Sequence, residues 1–493
     1  MSRPAATDAP CYLALDLGAS SGRAVLGTLE GDRMRMDELH RFRTPLIESE
    51  GHLLWDVDAL WVDIRVALDA AHRAAPGLRS VSVDSWAVDY VPLDVRDRPV
   101  RLPYAYRDPR TKGRMDRAAQ LNGGADALYE RTGIQFLELN TLPQIVADVE
   151  DEPALLARTT ARLTIAEYFL FLLSGRKVAE RTMASTTQLM DARTATWSES
   201  IIRAAGDDPA RWPQIVAPGT RLGPVHPELM PAGPYSPQVL ATCAHDTAAA
   251  VAAVPASGDA PWAYISSGTW SLVGAELRSP ILTREARRAG FTNEAGLDGT
   301  IRFLKNRTGM WVLEECCREW AAAGDRPSYD ALFAAAALAP PAIDTIDLDA
   351  APFAERGGMP AKIAAACRAR HLQPPADRGG LVRLILESLA ATYARTLHEL
   401  EQFTGERTED VHVVGGGSRV GLLCALTADA TNRRVLAGPD EATVLGNLLV
   451  QARALGDLPG HLTLREVARR STTLTEYLPR TVATSRTASP AAS

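Results

Sequence analysis

Lysine is scarce in this sequence. Among 493 residues the basic side chains are nearly all arginine, and Lys112, Lys177, Lys305 and Lys362 stand scattered and alone. With a formal net charge of −7, the chain lacks the basic surface that binding along a nucleic acid demands, so no nucleic-acid partner is expected. Long apolar runs are missing too. Stretches such as 168–173 fall far below the roughly 20 residues that cross a bilayer, and no membrane partner is expected. The start, MSRPAATDAP and then CYLALDL, reads as a polar flexible tail (residues 1–10) followed by a strand with Asp16 inside it, not as a signal peptide. A cytoplasmic protein is expected. Cys11, Cys243, Cys316, Cys317, Cys367 and Cys424 form no CxxC pair, which leaves no zinc-type spacing and fits reduced thiols. His398-Glu399 is not followed by a second His at the spacing of a zinc helix. Neither a Walker A sequence nor a complete GxGxxG occurs; Gly415-Gly416-Gly417 comes nearest, but Val420 stands where the third glycine belongs.

What is present is an ordinary globular composition, 46% hydrophobic and 23% charged, on a chain too long for one core. Strand-like runs (12–17, 23–29, 81–83, 411–414) alternate with helical patterns (58–75, 381–403, 422–430), which indicates an α/β class. Pro/Gly-rich breaks fall at 230–237, 339–341 and 373–380. The expected division is an N-terminal domain over 11–255, a C-terminal domain over 256–455, and an extension over 456–493. The Ser/Thr/Ala/Pro-rich end of that extension, from Thr481, is expected to be disordered.

One echo runs through the chain. Tyr12-Leu-Ala-Leu-Asp-Leu-Gly-Ala-Ser-Ser-Gly-Arg23 is a strand, a small-residue turn and the start of another strand. Ala263-Tyr-Ile-Ser-Ser-Gly-Thr-Trp-Ser-Leu-Val-Gly274 has the same form in the second half. Two such hairpins suggest a duplicated architecture with a cleft between the halves; Ser/Gly turns between strands are also common by chance.

The first hairpin suits a phosphate chain. Gly18, Ala19, Ser20, Ser21 and Gly22 let backbone N–H groups approach closely, the serines add hydroxyl donors, and Arg23 offers positive charge. Asp16 suits a water-bridged Mg²⁺, a cation that prefers oxygen and keeps several waters. A plain hairpin would carry the same glycines. At Val411-His-Val-Val-Gly-Gly-Gly-Ser-Arg419 a glycine loop joins a strand to a helix, where bare backbone packs against an adenine or a phosphate, or simply makes a tight turn. Asp246, in Ala244-His-Asp-Thr-Ala-Ala-Ala250, stands before a small-residue helical run, either as an N-cap or as a general base for a sugar hydroxyl. His245 is a substrate contact or a satisfied, partly buried histidine. Ser82-Val-Asp84-Ser-Trp86-Ala87-Val-Asp89 mixes carboxylates with an aromatic face, as a sugar site or as a half-buried strand with Trp86 in the core. Asn306 precedes a helix carrying Trp311, as substrate contact or as N-cap.

Taken in order, these segments resemble the FGGY family of carbohydrate kinases, within the fold shared by actin, hexokinase and Hsp70. The resemblance rests on the segments above and on Trp55-Asp-Val-Asp58, Tyr106-Arg-Asp108, Thr132-Gly-Ile-Gln-Phe136, Thr186-Thr-Gln-Leu189, Leu304-Lys-Asn306 and Glu441-Ala-Thr443 with Leu445-Gly-Asn447, spread over about residues 12–477. It implies two actin-like ATPase (ribonuclease H-like) domains around a central cleft. It further implies transfer of phosphate from ATP, with Mg²⁺, to the 1-hydroxyl of a small-molecule sugar, L-rhamnulose, in L-rhamnose catabolism. Ala19, Ser20, Ser21, Gly22 and Arg23 would bind the ATP phosphates with Thr269, and Gly416 would lie near the adenosine. His245, Asp246, Thr247 and Asn306 would contact the ketose, with Asp246 as catalytic base. Ala87 stands where the family has a glycine whose backbone meets the sugar, Glu314 where it has a glutamine linked to nucleotide, and Glu167 where it has an aspartate. The rival readings are a kinase for another ketose or polyol (xylulose, ribulose, fuculose, glycerol) and a non-catalytic nucleotide switch of the actin or Hsp70 type.

Overall fold

A computed structural model describes residues 9–230, 236–258 and 260–480. Most of the expected N-terminal tail (1–8), the middle of the first Pro/Gly break (231–235) and the C-terminal tail from Thr481 lie outside the described residues.

The first sheet is built from β1 (Cys11–Leu17), β2 (Ser21–Glu30), β3 (Arg33–Arg43), β4 (Ser80–Ser85), β5 (Thr220–Pro224) and β6 (Gln238–Ala241), in the order β5-β6-β4-β1-β2-β3. The second comprises β7 (Trp262–Ser267), β8 (Trp270–Leu277), β9 (Thr292–Ala295), β10 (Ile301–Thr308), β11 (Asp410–Val414), β12 (Arg434–Ala437) and β13 (Thr475–Tyr477), ordered β9-β10-β8-β7-β11-β12-β13. With β9 set aside, the two sheets share one pattern of spatial order and strand direction, although the edge strand β5 precedes β6 in the chain while β13 follows β12. An antiparallel meander (β1-β2-β3; β7-β8-β10) is followed by two parallel neighbours (β4, β6; β11, β12) and an antiparallel edge (β5; β13). The echo in the sequence is therefore a repeated domain plan, two α/β domains facing one another.

Helices form where apolar spacing and caps agree. In α1 (Val57–Ala74) the Asp56 carboxylate caps the Ala59 N–H at 2.9 Å, and Leu60, Ile64, Ala67, Leu68 and Ala71 face the first core. Helix α2 (Asp246–Ala252) is short and rich in alanine; α3 (Arg378–Thr404) runs 27 residues and ends at Gly405 with φ 73. Helix α4 (Ala442–Leu455) lies with α2 between the sheets. On one side they pack on Tyr12, Ala14 and Val25; on the other, Ala250, Val251 and Ala442 pack on Tyr264, Leu272 and Val414. No helix among the described residues is long and apolar enough to cross a membrane.

Chain order and spatial order part at the C-terminus. Residues 442–470, which the sequence places in the second domain and its extension, pack on the first sheet. Asn447 donates to Asp84 at 2.5 Å, Gln451 to the Leu13 carbonyl at 2.9 Å, and Leu464 and Val467 join the same core as Tyr12. The alternation of strand and helix marks elements but not which sheet a returning helix covers.

Candidate active site

A cavity of about 420 Å³ lies between the domains and is bordered by both hairpins. Each hairpin tip is tightly held. In the first, the Gly18 N–H donates to the Ser21 carbonyl at 3.1 Å, and Thr44 grips the turn through its hydroxyl on the Gly18 carbonyl (2.6 Å) and its N–H on the Ser20 carbonyl (3.2 Å). In the second, the Gly268 N–H donates to the Trp270 carbonyl and the Met310 N–H to the Gly268 carbonyl, both at 2.8 Å. Beneath that tip Gly309 has no room for a side chain: a β-carbon there would stand 2.5 Å from the Gly268 oxygen.

Ala19, Ser20, Ser21, Arg23, Ala87, His245, Asp246, Thr247, Thr269, Asn306 and Gly416 all border this cavity. Gly22 and Asp16 do not. Gly22 pairs with Phe42 across β2 and β3, and a β-carbon at 22 would stand 2.3 Å from the phenyl ring, so its smallness serves that ring. Asp16 is 8% exposed and held by the Arg23 guanidinium at 2.8 Å, beneath the cavity wall. Arg23 also pairs with Glu441 at the start of α4.

Asp246 is the first residue of α2, and His245 occupies the N-cap position, so the capping role does not fall to the aspartate. Its Oδ1 accepts from the Thr247 N–H at 2.5 Å and the Thr247 hydroxyl at 3.2 Å; its Oδ2 has no hydrogen bond among the described residues. The side chain is 31% exposed, towards the cavity. Surrounding protein and the nearby Asp16 push its carboxyl up to about 7. Asp84, opposite Asp16 on the parallel neighbour strand, is fully buried and is driven well above the usual carboxylate range by burial and by Asp16. Among the described residues its Oδ1 has no hydrogen-bond partner.

The two carboxylates read as sugar ligands on the 82–89 segment are engaged elsewhere. Asp84 accepts from Asn447, and Asp89 accepts from Trp55 Nε1 (2.6 Å), Trp86 Nε1 (3.0 Å), Gln144 Nε2 (2.9 Å) and the Tyr106 N–H (3.0 Å). Trp86, 5% exposed, packs its ring 4.4 Å from that of Trp55. Of that stretch, Trp86, Ala87 and Val88 border the cavity, and neither Asp84 nor Asp89 does. Asn306 lies in β10, not at a helix start, and its amide donates to Gln135 Oε1 at 3.0 Å, joining the domains across the cavity. Glu314 accepts the Thr269 hydroxyl at 3.2 Å, and burial raises its carboxyl. Glu167 lies away from the cavity, fully enclosed and pushed up to about 8, accepting the Glu180 N–H at 2.8 Å.

Residues 11–253 match the N-terminal domain, and residues 263–455 the C-terminal domain, of the FGGY family of carbohydrate kinases. The chain belongs to that family. A rhamnulokinase of Bacteroides thetaiotaomicron is 38% identical over 96% of this chain and 96% of its own length, and one of Halalkalibacterium halodurans is 36% identical over 94% and 98%. Among solved structures, a gluconate kinase from Lactobacillus acidophilus (TM-score 0.77, 15% identity, 96% of this chain and 94% of that one) and a xyloylose kinase from Brucella ovis (TM-score 0.77, 21% identity, 95% of each) share the fold. Family membership sets aside the non-catalytic switch.

The sequence left several cavity residues of this FGGY kinase without a role: Gln135, Asn140, Thr186, Thr292 and Glu294 border the same space. Gln135 and Thr186 lie in segments that carried the resemblance, which was the available signal. Fully buried Arg302 reaches His245 from β10, donating to Nδ1 at 3.0 Å; nothing local announces it.

Proposed function

We propose that this kinase transfers the γ-phosphoryl group of ATP to the 1-hydroxyl of L-rhamnulose, giving L-rhamnulose 1-phosphate and ADP, within L-rhamnose catabolism. The observation that carries the reading is the half-free carboxylate of Asp246, opening on one cavity that both glycine–serine hairpins border. The rhamnulokinase relatives, aligned over nearly the whole chain, support the identity of the sugar.

In this reading Oδ2 of Asp246 takes the proton of the attacking hydroxyl. A base poised near neutrality both holds its ionised form and drives proton transfer. Ala87, His245, Thr247 and Asn306 hold the ketose. The Ala19–Ser21 tip, Arg23 and Thr269 hold the phosphates, and Gly416 lies beside the adenosine. Phosphoryl transfer asks mainly for alignment and charge neutralisation, and an enclosed cleft keeps water from competing for the phosphoryl group.

The oxygen-only chemistry of Asp16 and Asp84, with an unpartnered carboxylate oxygen on Asp84, fits Mg²⁺. No ready-made cluster of three ligand side chains exists among the described residues, so the fit is to a cation carried in largely by the nucleotide's phosphates and water. When bound, Mg²⁺ would neutralise charge on those phosphates, and Asp16, held in place by Arg23, would hold it through water.

A sugar panel with Mg·ATP in a coupled ADP-release assay tests the assignment. L-rhamnulose should give the highest kcat/KM. A higher value for xylulose, ribulose, fuculose or glycerol would reassign the acceptor, and ATP consumption that no sugar stimulates would overturn the kinase mechanism.

A further inference from the structure

His245 sits between two groups with opposite demands. On one side Arg302, from β10 of the second domain, points Nη2 at Nδ1 from 3.0 Å; on the other, Nε2 lies 3.3 Å from Asp246 Oδ1. A guanidinium has donors only, so the ring nitrogen it faces must offer a lone pair, and the proton of a neutral imidazole then resides on Nε2. That N–H lies beside the carboxylate, close enough for an electrostatic contact.

We propose that Arg302 is a positioning residue for phosphoryl transfer: by locking His245 as the Nε2–H tautomer it sets the positive end of that N–H, not a lone pair, beside Oδ1 of Asp246 and leaves Oδ2 to receive the substrate proton. The inference rests on the reading of Asp246 as the base. Burial and the Arg302 charge hold the imidazole well below its usual range, which keeps it neutral. The Thr247 N–H and hydroxyl donate to Oδ1, and His245 Nε2, 3.3 Å from the same oxygen, adds an electrostatic contact rather than a formed hydrogen bond, so the carboxylate is held through Oδ1 with the other oxygen left open.

The neighbourhood explains why Arg302 decides the tautomer. Glu294, also bordering the cavity, places Oε2 3.5 Å from the same Nδ1 and 3.1 Å from Arg302 Nη2. Without the guanidinium, Glu294 becomes the natural partner of an Nδ1–H, the tautomer flips, and a lone pair on Nε2 confronts Asp246. The remaining charged groups around this loop are Asp16 and Asp84 from the first sheet and Glu180, whose carboxylate accepts the Ala244 N–H at 2.9 Å; none of them touches Nδ1. Arg302 and His245 belong to opposite domains, so the base is oriented only at this separation of the two.

The test combines histidine-selective ¹⁵N labelling of the whole enzyme with steady-state kinetics, His245→Gln assigning the resonance. The wild type should show His245 with a protonated Nε2 and a bare Nδ1. Arg302→Met should lose that pattern and lower kcat by about tenfold or more with the sugar KM within about threefold, and Arg302→Lys should recover part of both. A wild-type His245 that is Nδ1–H or doubly protonated overturns the proposal, as does Arg302→Met with kcat within about twofold of wild type. Should Arg302→Met fail to fold, the wild-type spectrum and Arg302→Lys still decide. Near-normal turnover in Asp246→Asn would sink the base assignment instead, while the spectrum reports on the tautomer independently.

Discussion

Gly446 of α4 lies directly against the backbone of Ala249 in α2, so closely that a β-carbon at 446 would stand 1.8 Å from the Ala249 carbonyl oxygen. The helix that begins with Asp246 is thereby wedged in place by a helix contributed almost 200 positions later.

Gly446→Ala should therefore act on stability and chemistry together. Forcing a methyl group into this contact costs about 1–3 kcal/mol by the usual measure of overpacking, and it must displace α2 or α4. Thermal unfolding should show a lower Tm, and kcat should fall while the protein remains folded. An unchanged Tm would mean that the helices do not meet this closely.

Asp246→Asn should lower kcat by at least about 10²-fold with ATP affinity within a few-fold, since the amide cannot accept the hydroxyl proton. In the wild type the carboxyl, held up at about 7, must lose its proton to work. The rate should climb roughly tenfold per pH unit on the acid side of about pH 7 and level above it. A profile flat down to pH 5 would place the titrating base elsewhere.

Glu167 predicts a pH dependence of stability. Its folded-state carboxyl, at about 8, keeps a proton that the unfolded chain releases nearer the ordinary glutamate value. Between these limits the native state binds more protons, so stability is full on the acid side and declines as pH rises towards 8. Glu180, pushed by burial up to about 7, adds the same sign. Glu167→Gln keeps an oxygen to accept the Glu180 N–H, so the fall in Tm between pH 5 and pH 8.5 should shrink in that variant.

Ala87 borders the cavity near the proposed sugar end. Ala87→Val should raise the sugar KM by about tenfold or more with the ATP KM nearly unchanged. A shift in the ATP KM instead would move position 87 to the nucleotide end.

Much of this was legible locally. The hairpin at 16–23 and its counterpart at 263–274 announce themselves through glycine and serine between apolar strands, and α3 through its spacing and its stop at Gly405. Gly22 does not border the cavity, as alternation along a strand sends 21 and 23 to one face and 22 to the other. For Asp84 and Asp89 the sequence left a sugar site and a half-buried strand both open, and the structure makes them buried. Their residue type suits a sugar, but their partners, Asn447, Trp55 and Gln144, come from distant stretches of chain that no local pattern links to them. Arg302 beside His245 is the same case, a contact made only once both sheets are assembled.

The return of the C-terminal segment to the first sheet has a consequence for biosynthesis. Tyr12 hydrogen-bonds Asp457 at 2.7 Å, Ser80 bonds Gln451 at 2.7 Å, and the Met34 N–H is met by Ser471 at 2.8 Å. The strands of the first sheet thus leave the ribosome with an apolar face and a buried-to-be carboxylate still waiting for a segment far downstream. The nascent first sheet must stay unaggregated in that unfinished condition until that downstream segment is made.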